Sequence, residues 1–182
     1  MQLLSMARNE AARLEALARY EILDTPEEAQ FDDLTALAAR ICGTPIALID
    51  LLDASRLWFK SKVGVPVREL PRVESSFCNH AIKYPDDLLI VPDALEDERF
   101  ISCPVVADEP HIRFYAGAPL VTPDGFALGT LCVLDTIPRH LNSEQIEALR
   151  ILSHQVMTQL ELRLNLKKLS QKTAQLLAIQ ER

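Results

Sequence analysis

A cysteine and a histidine stand two residues apart in Phe77-Cys78-Asn79-His80. Such a pair could ligate a metal, attach a chromophore or set a thiolate beside an imidazole. Two ligands do not complete a metal site, however. Cys42, Cys103 and Cys132 are widely spread, with no CxxC pair and no zinc-type spacing. No metal is therefore expected, and the simplest role is a packed Cys78 beside a hydrogen-bonded His80. A second group, Asp93, Asp97, Arg99, Phe100, Arg113, Phe114 and Tyr115, clusters before or in a strand. Arg113 could hold an anion bidentately, and Tyr115 could supply one directional hydrogen bond in an apolar cavity. The structural alternative is an ion pair, Asp93–Arg99 or Asp97–Arg113, that fastens the segment. Cys132, between Leu131 and Val133, reads as core. Gly-rich phosphate loops, Ser-His-Asp order and paired catalytic carboxylates find no convincing context.

The elements that must carry these groups are marked by periodicity. A helix is expected from near Asn9, with Leu14, Leu17 and Ala18 on one side. Thr25-Pro26-Glu27-Glu28 has the form of a helix start, with a cap, a proline at the first position and a returning carboxylate. Phe31, Leu34, Leu37, Ala38 and Ile41 then recur at helical spacing up to Gly43. Ile46 to Leu52 is apolar at almost every position, which suits a strand covered on both faces. Leu57, Phe59 and Val63 alternate with Trp58, Lys60 and Lys62, so the alternation puts Trp58 on an exposed strand face.

Residues 64–87 read as irregular, with a short helix over Phe77–Lys83, and Leu88–Val91 as a short strand. Residues 94–112 read as surface loops and short helices, and loops this long are usually functional or mobile. Phe114–Val121, Thr122-Pro123-Asp124-Gly125 and Phe126–Leu134 form a hairpin: proline presets φ, aspartate bonds its own backbone and glycine admits φ > 0. Asn142 and Gln145 make a reciprocal helix cap. From there to Arg182 no Gly or Pro interrupts the chain. Leu162, Leu166, Leu169, Thr173 and Leu176 follow the 4-3-4-3 spacing of a coiled-coil seam.

The chain has 182 residues, 48% hydrophobic and 25% charged, with a formal charge of -7. That composition suits one globular domain with an appendage. The acidic balance opposes sequence-independent nucleic-acid binding, which needs Lys and Arg against phosphate. No stretch approaches the ~20 apolar residues of a membrane span, and the N-terminus lacks a signal-peptide core. The expected setting is the cytoplasm, with reduced thiols.

Several phrases in order, LDTPEEAQFDDLTALAARICGTPIALIDLLD, WFKSKVG, SSFCNHAI, RFYAGAPLVTPDGFALGTLCVLD and LNSEQIEALRILSHQV, carry a family resemblance. From about Leu23 to Leu160 the chain resembles the GAF domain, of the group found at the N-terminus of bacterial histidine kinases and diguanylate cyclases. The resemblance implies an α+β fold: a central antiparallel sheet of five to six strands, helices on one face, and pocket-forming loops and short helices on the other. It implies three parts: an N-terminal helix (1–22), the GAF domain (23–160) and an exit helix (161–182). It further implies a sensory role without catalysis. A small molecule would bind in the pocket, the chain would form a homodimer, and Leu162, Leu166, Leu169 and Leu176 would pass the signal to an output domain.

The pocket candidates are Phe77, Cys78, His80, Asp93, Phe100, Arg113, Phe114, Tyr115 and Cys132. The cofactor is left unspecified. Covalent bilin is not expected, because Asn79 separates Cys78 from His80 and the surroundings differ from the bilin motif; haem is not expected either. The cyclic-nucleotide signature is not matched, since Phe100 and Asp108-Glu109 stand at the wrong distance. Two alternatives stay open. One is a ligand-free dimerisation module. The other is a thiol enzyme like free-methionine sulfoxide reductases, using Cys78 and Cys103, although Asn79 and Pro104 replace the flanking glycines.

Overall fold

Six strands pair antiparallel in a computed structural model that describes residues 2–180. They are β1 (Ile46–Leu52), β2 (Arg56–Val63), β3 (Glu69–Pro71), β4 (Leu89–Val91), β5 (Phe114–Val121) and β6 (Ala127–Asp135). Their spatial order is β3-β2-β1-β6-β5-β4, so β1 and β6 form the centre. All seven β1 positions are buried, because both faces are covered. Ala47, Ile49 and Leu51 face one core, and Ile46 and Leu48 the other.

The first face carries α1 (Gln2–Arg19), α2 (Ala29–Cys42) and the body of α5 (Ser143–Gln180). The opposite face carries α3 (Phe77–Ala81), α4 (Pro104–Ala107) and a 3-10 turn at Ala94–Glu96. No helix among the described residues is long and apolar enough to cross a membrane.

Several local details depart from simple periodicity. Along residues 9–19 of α1, Arg13, Ala16 and Leu17 are buried, while Ala18 is exposed. On α2 the buried stripe is Phe31, Thr35, Ala38, Ala39 and Cys42, which leaves Leu37 and Ile41 exposed. Gly43 does end that helix, at φ 66°. Residues 64–87 contain an additional short strand, β3. Residues 94–112 do hold short helical turns and many exposed residues, but they are more than a surface loop: Phe100, Cys103, Val106 and Ile112 are buried and form a cover over the second face.

The Thr25-Pro26-Glu28 start is also used differently. The helix begins at Ala29 and Glu28 makes no side-chain cap. Instead Thr25 Oγ1, the Pro26 carbonyl and Glu28 Oε2 all accept from Lys60 Nζ, at 2.9, 2.7 and 2.5 Å. Lys60 is the extra residue of a bulge, since Ile49 pairs with Ser61 and Asp50 with Phe59. Lys60 lies on the same helix-side face as Trp58 and is fully buried there, above the Phe31 ring. Trp58, expected in solvent, is buried beside Ala47 and Leu51 in the helix-side core, with the Arg68 guanidinium 5.3 Å from its ring centroid.

A second polar knot joins α1 to the far end of the sheet. Arg13 donates to the Leu52 carbonyl at 2.8 Å, and Glu10 accepts from Arg13 and from Arg72 at 2.6 Å. Arg72 also donates to Asn79 Oδ1 on α3. Burial alone would raise the Glu10 carboxyl, but Arg13 and Arg72 outweigh it and hold the group down at about 2. A depressed carboxylate stabilises the fold above its unfolded value of 4.5, and that contribution fades as pH falls toward 2. Glu10→Gln should therefore cost about 1–2 kcal/mol at neutral pH, discounted for partial exposure. The two chains should converge in urea unfolding near pH 2; an equal gap at both pH values would refute this.

The reciprocal cap of α5 is formed: Asn142 Oδ1 accepts from the Gln145 amide at 2.8 Å, and the Asn142 amide donates to Gln145 Oε1 at 2.9 Å. The last buried residue of this helix is Leu164. Beyond it the helix leaves the body. Leu162, Leu166, Leu169 and Leu176 are 49–64% exposed. The point of departure is tied down by ion pairs and hydrogen bonds. Tyr20 hydroxyl donates to Glu161, Arg163 donates to Glu28 at 3.0 Å, and Lys167 pairs with Glu21 at 2.7 Å.

Candidate functional site

Between the sheet and its short-helix cover lies a cavity of about 490 Å³. Its floor is made by side chains of β1, β2 and β6: Leu48, Leu57, Phe59, Cys132 and Leu134. Its walls come from the loop around β3, from Phe77 and Cys78 on α3, and from Cys103, Pro104 and Val105 at the start of α4. The lining is almost wholly apolar. It contains no Lys, Arg or His among the described residues, and Glu109 is its one charged member.

Aromatic stacking builds the α3 wall. The Tyr115 and Phe77 rings stack 4.6 Å apart at 6°, and Phe77 meets Phe100 at 4.6 Å. His80 closes the stack with its edge against Phe100 at 4.9 Å. Ser76 caps α3 by accepting from the Asn79 amide, which fixes the helix start beside the sheet. Tyr115 can lie flat along β5 only because residue 117 is glycine. A Cβ there would stand 2.2 Å from the Tyr115 hydroxyl.

Beneath the α3 wall sits a buried polar cluster centred on Asp50. Its carboxylate accepts from the Thr130 amide at 3.0 Å and from the Thr130 hydroxyl at 2.6 Å. The Cys78 and Cys132 thiols donate to Oδ2 at 3.2 and 3.4 Å. The Tyr115 hydroxyl lies 3.2 Å from Thr130 Oγ1 and 3.7 Å from Cys78 Sγ. Burial pushes the Asp50 carboxyl up to about 6, against the hydrogen bonds of Thr130, Cys78 and Cys132, which hold it down. The hydrogen bond with Cys132 pulls the Cys78 thiol down, but burial and the Asp50 carboxylate outweigh it and leave the thiol raised. Burial also lifts Cys132 and Tyr115 well above their ordinary values. Both sulfurs are therefore neutral thiols, the opposite of an activated nucleophile.

The structure thus brings Phe77, Cys78, Tyr115 and Cys132 around one cavity. The other candidates lie elsewhere. His80 borders a separate hollow with Tyr84 and Arg99, and its Nδ1 is 3.2 Å from the Ser76 carbonyl. Phe100 is buried behind Phe77. Phe114 belongs to the helix-side core. Asp93 accepts from the Leu95 amide and starts the 3-10 turn. Arg113 donates to the Val106 and Ile112 carbonyls at 3.0 and 3.1 Å, holding the cover in place. Neither suggested ion pair forms; Asp97 pairs with Arg99 at 2.7 Å. Cys132, rather than Cys103, joins Cys78 and Asp50 in a set of donor atoms within 4.8 Å of one another. Asp50 was not singled out by periodicity, although a lone acid inside an apolar strand is itself a signal.

The GAF domain family model matches residues 26–160. A Pseudomonas aeruginosa protein named as a cyclic di-GMP phosphodiesterase is 45% identical over 118 residues, which is 65% of this chain and 20% of that protein. The chain thus spans about a fifth of that relative. Among solved structures, the blue-light absorbing form of the Thermosynechococcus elongatus PixJ GAF domain superposes with a TM-score of 0.62 at 20% identity, covering 81% of this chain and 90% of that one. A type II free methionine-R-sulfoxide reductase from Thermoplasma acidophilum gives 0.59 at 14% identity, covering 72% and 89%. At such identities the likeness concerns the fold. The matched span contains the whole sheet and its cavity-forming cover, and the chain belongs to the GAF domain family.

Proposed function

We propose that this domain is a sensor whose cavity takes an uncharged, mainly apolar small molecule and whose exit helix reports the binding to an output domain. The carrying observation is the cavity of about 490 Å³ with its apolar, cation-free lining. A nucleotide or carboxylate ligand would bring a charge that nothing in this wall could pair, and burying an unpaired charge is costly. An apolar molecule meets no such penalty and gains from every surface removed from water. A ligand-free dimerisation module would need no such cavity.

A route to the exit helix is present. Phe59 lines the cavity, and its neighbour Lys60 grips Glu28, which in turn holds Arg163 of α5. Movement of β2 is therefore felt at the turn where α5 departs. Two such chains would pair through Leu162, Leu166, Leu169 and Leu176. The relative of Pseudomonas aeruginosa suggests an output that acts on cyclic di-GMP, beside the kinase and cyclase outputs implied by the resemblance. Signalling requires the ligand to bind two helix arrangements with different affinity.

The reading can be tested with N-phenyl-1-naphthylamine, a neutral apolar dye that brightens when shielded from water. Saturable binding of one dye per chain is expected, weakened at least tenfold by Leu48→Trp, which places an indole on the cavity floor. The anionic analogue carrying a sulfonate should bind far more weakly. Equal binding of both dyes, or dye binding unaffected by the variant, would count against the cavity.

A further inference from the structure

Asp50, Cys78 and Cys132 come from three different elements and converge on one point. Asp50 lies on β1 and Cys132 on β6, the two central strands, while Cys78 rides on α3. All three are buried, and their donor atoms lie within 4.8 Å of one another. We propose that these three side chains form a site for a soft divalent cation of the zinc class, with its fourth position turned toward the cavity.

The distances suit that ion. Bonds of about 2.3 Å to sulfur and about 2.0 Å to oxygen, at tetrahedral angles, put each sulfur about 3.5 Å from the oxygen. The two sulfurs stand 3.2 and 3.4 Å from Asp50 Oδ2. Both sulfur–oxygen spacings are thus close to what a bound ion requires, once the two thiol protons are lost. The Thr130 amide and hydroxyl already orient the carboxylate, the role an outer partner plays at metal centres. Cys78 and Cys132 both line the cavity, as does Tyr115, whose hydroxyl is 3.7 Å from Cys78 Sγ.

Charge also balances. A divalent ion binding two thiols and one carboxylate releases two protons, so two thiolates and one carboxylate surround it. The site then carries one net negative charge, the same as the metal-free carboxylate with two neutral thiols. Loading the metal therefore buries no additional net charge. Two thiolates select a soft ion over magnesium or calcium. Because the loaded site keeps one net negative charge, its open position would hold a neutral polar end of a cavity ligand, such as a carbonyl or a thioether, rather than an anion. The ion site stands independently of the sensory reading, because metal loading and dye binding are read separately.

The test uses the reduced protein with cobalt(II) as probe. One cobalt per chain should give thiolate-to-metal charge-transfer absorption and the intense visible bands of a tetrahedral ion, with two protons released and zinc displacing the cobalt. Cys78→Ser, Cys132→Ser and Asp50→Asn should each remove or strongly weaken the spectrum. Should those variants fail to fold, X-ray absorption at the zinc edge of the wild-type protein decides. Two sulfurs at about 2.3 Å support the site, whereas an all-oxygen shell overturns it. A cobalt spectrum that persists in both cysteine variants also overturns it.

Discussion

Glu28→Ala is expected to lower the unfolding free energy by about 3 kcal/mol, the cost of stripping a buried cation of its partner. The Lys60 side chain is fully excluded from solvent, and Glu28 lies 2.5 Å from its ammonium. Burial already disfavours the charged lysine and lowers its pKa, against the pull of Glu28, so removing the carboxylate drives it further down. Thr25 and the Pro26 carbonyl remain as acceptors, which keeps the loss at the lower end of the range for such breaks. Arg163 loses its carboxylate at the same time. Glu28→Gln, which keeps one acceptor but no charge, should fall between the two. Urea unfolding followed by circular dichroism reads the series. A Glu28→Ala protein as stable as wild type would show that this linkage is a surface contact of no consequence.

The second large effect concerns the exit helix. Leu166→Asp with Leu169→Asp should leave the fold intact, since both positions are more than half exposed in the single chain. In a paired seam the same changes set four carboxylates against one another in an apolar interface. If the chains pair through this seam as proposed, the dimer dissociation constant should rise at least about 100-fold, or about 2.8 kcal/mol at about 1.4 kcal/mol per tenfold. Sedimentation velocity at several concentrations measures it. A double variant that sediments as the wild-type chain does would count against this seam, with exposed Leu37, Ile41 and Ile151 the next candidate face.

How far the structure could be read in advance depends on where each residue finds its partners. The hairpin of β5 and β6 was legible because Pro123, Asp124 and Gly125 specify their turn locally. The start of α5 was legible for the same reason, as Asn142 and Gln145 satisfy each other. Burial of Phe100, Cys103 and Val106 was not, because only tertiary contact with Phe77 and the sheet decides it. Trp58 and Lys60 alternate as on a half-exposed strand, yet both lie on the helix-side face, which packed helices cover, so alternation alone could not show their burial. Thr25 and Glu28 look like a helix cap, yet the same oxygens serve the Lys60 ammonium, a choice set by a residue far along the chain. Phe77, Cys78, Tyr115 and Cys132 were picked from their types and positions, and the structure does place them around one cavity. Arg113 looked equally apt, but backbone carbonyls of the cover take its guanidinium.

If the cavity is a sensor site as proposed, its occupancy is felt at the exit helix. Hydrogen–deuterium exchange of the full chain, with and without saturating N-phenyl-1-naphthylamine, tests it most directly. The dye should change exchange in the cavity lining and also in the segment around Glu28 and in α5 near Arg163, with the distant change abolished by Glu28→Ala. Protection confined to the cavity lining, with α5 exchanging at the same rate in both states, would contradict the account.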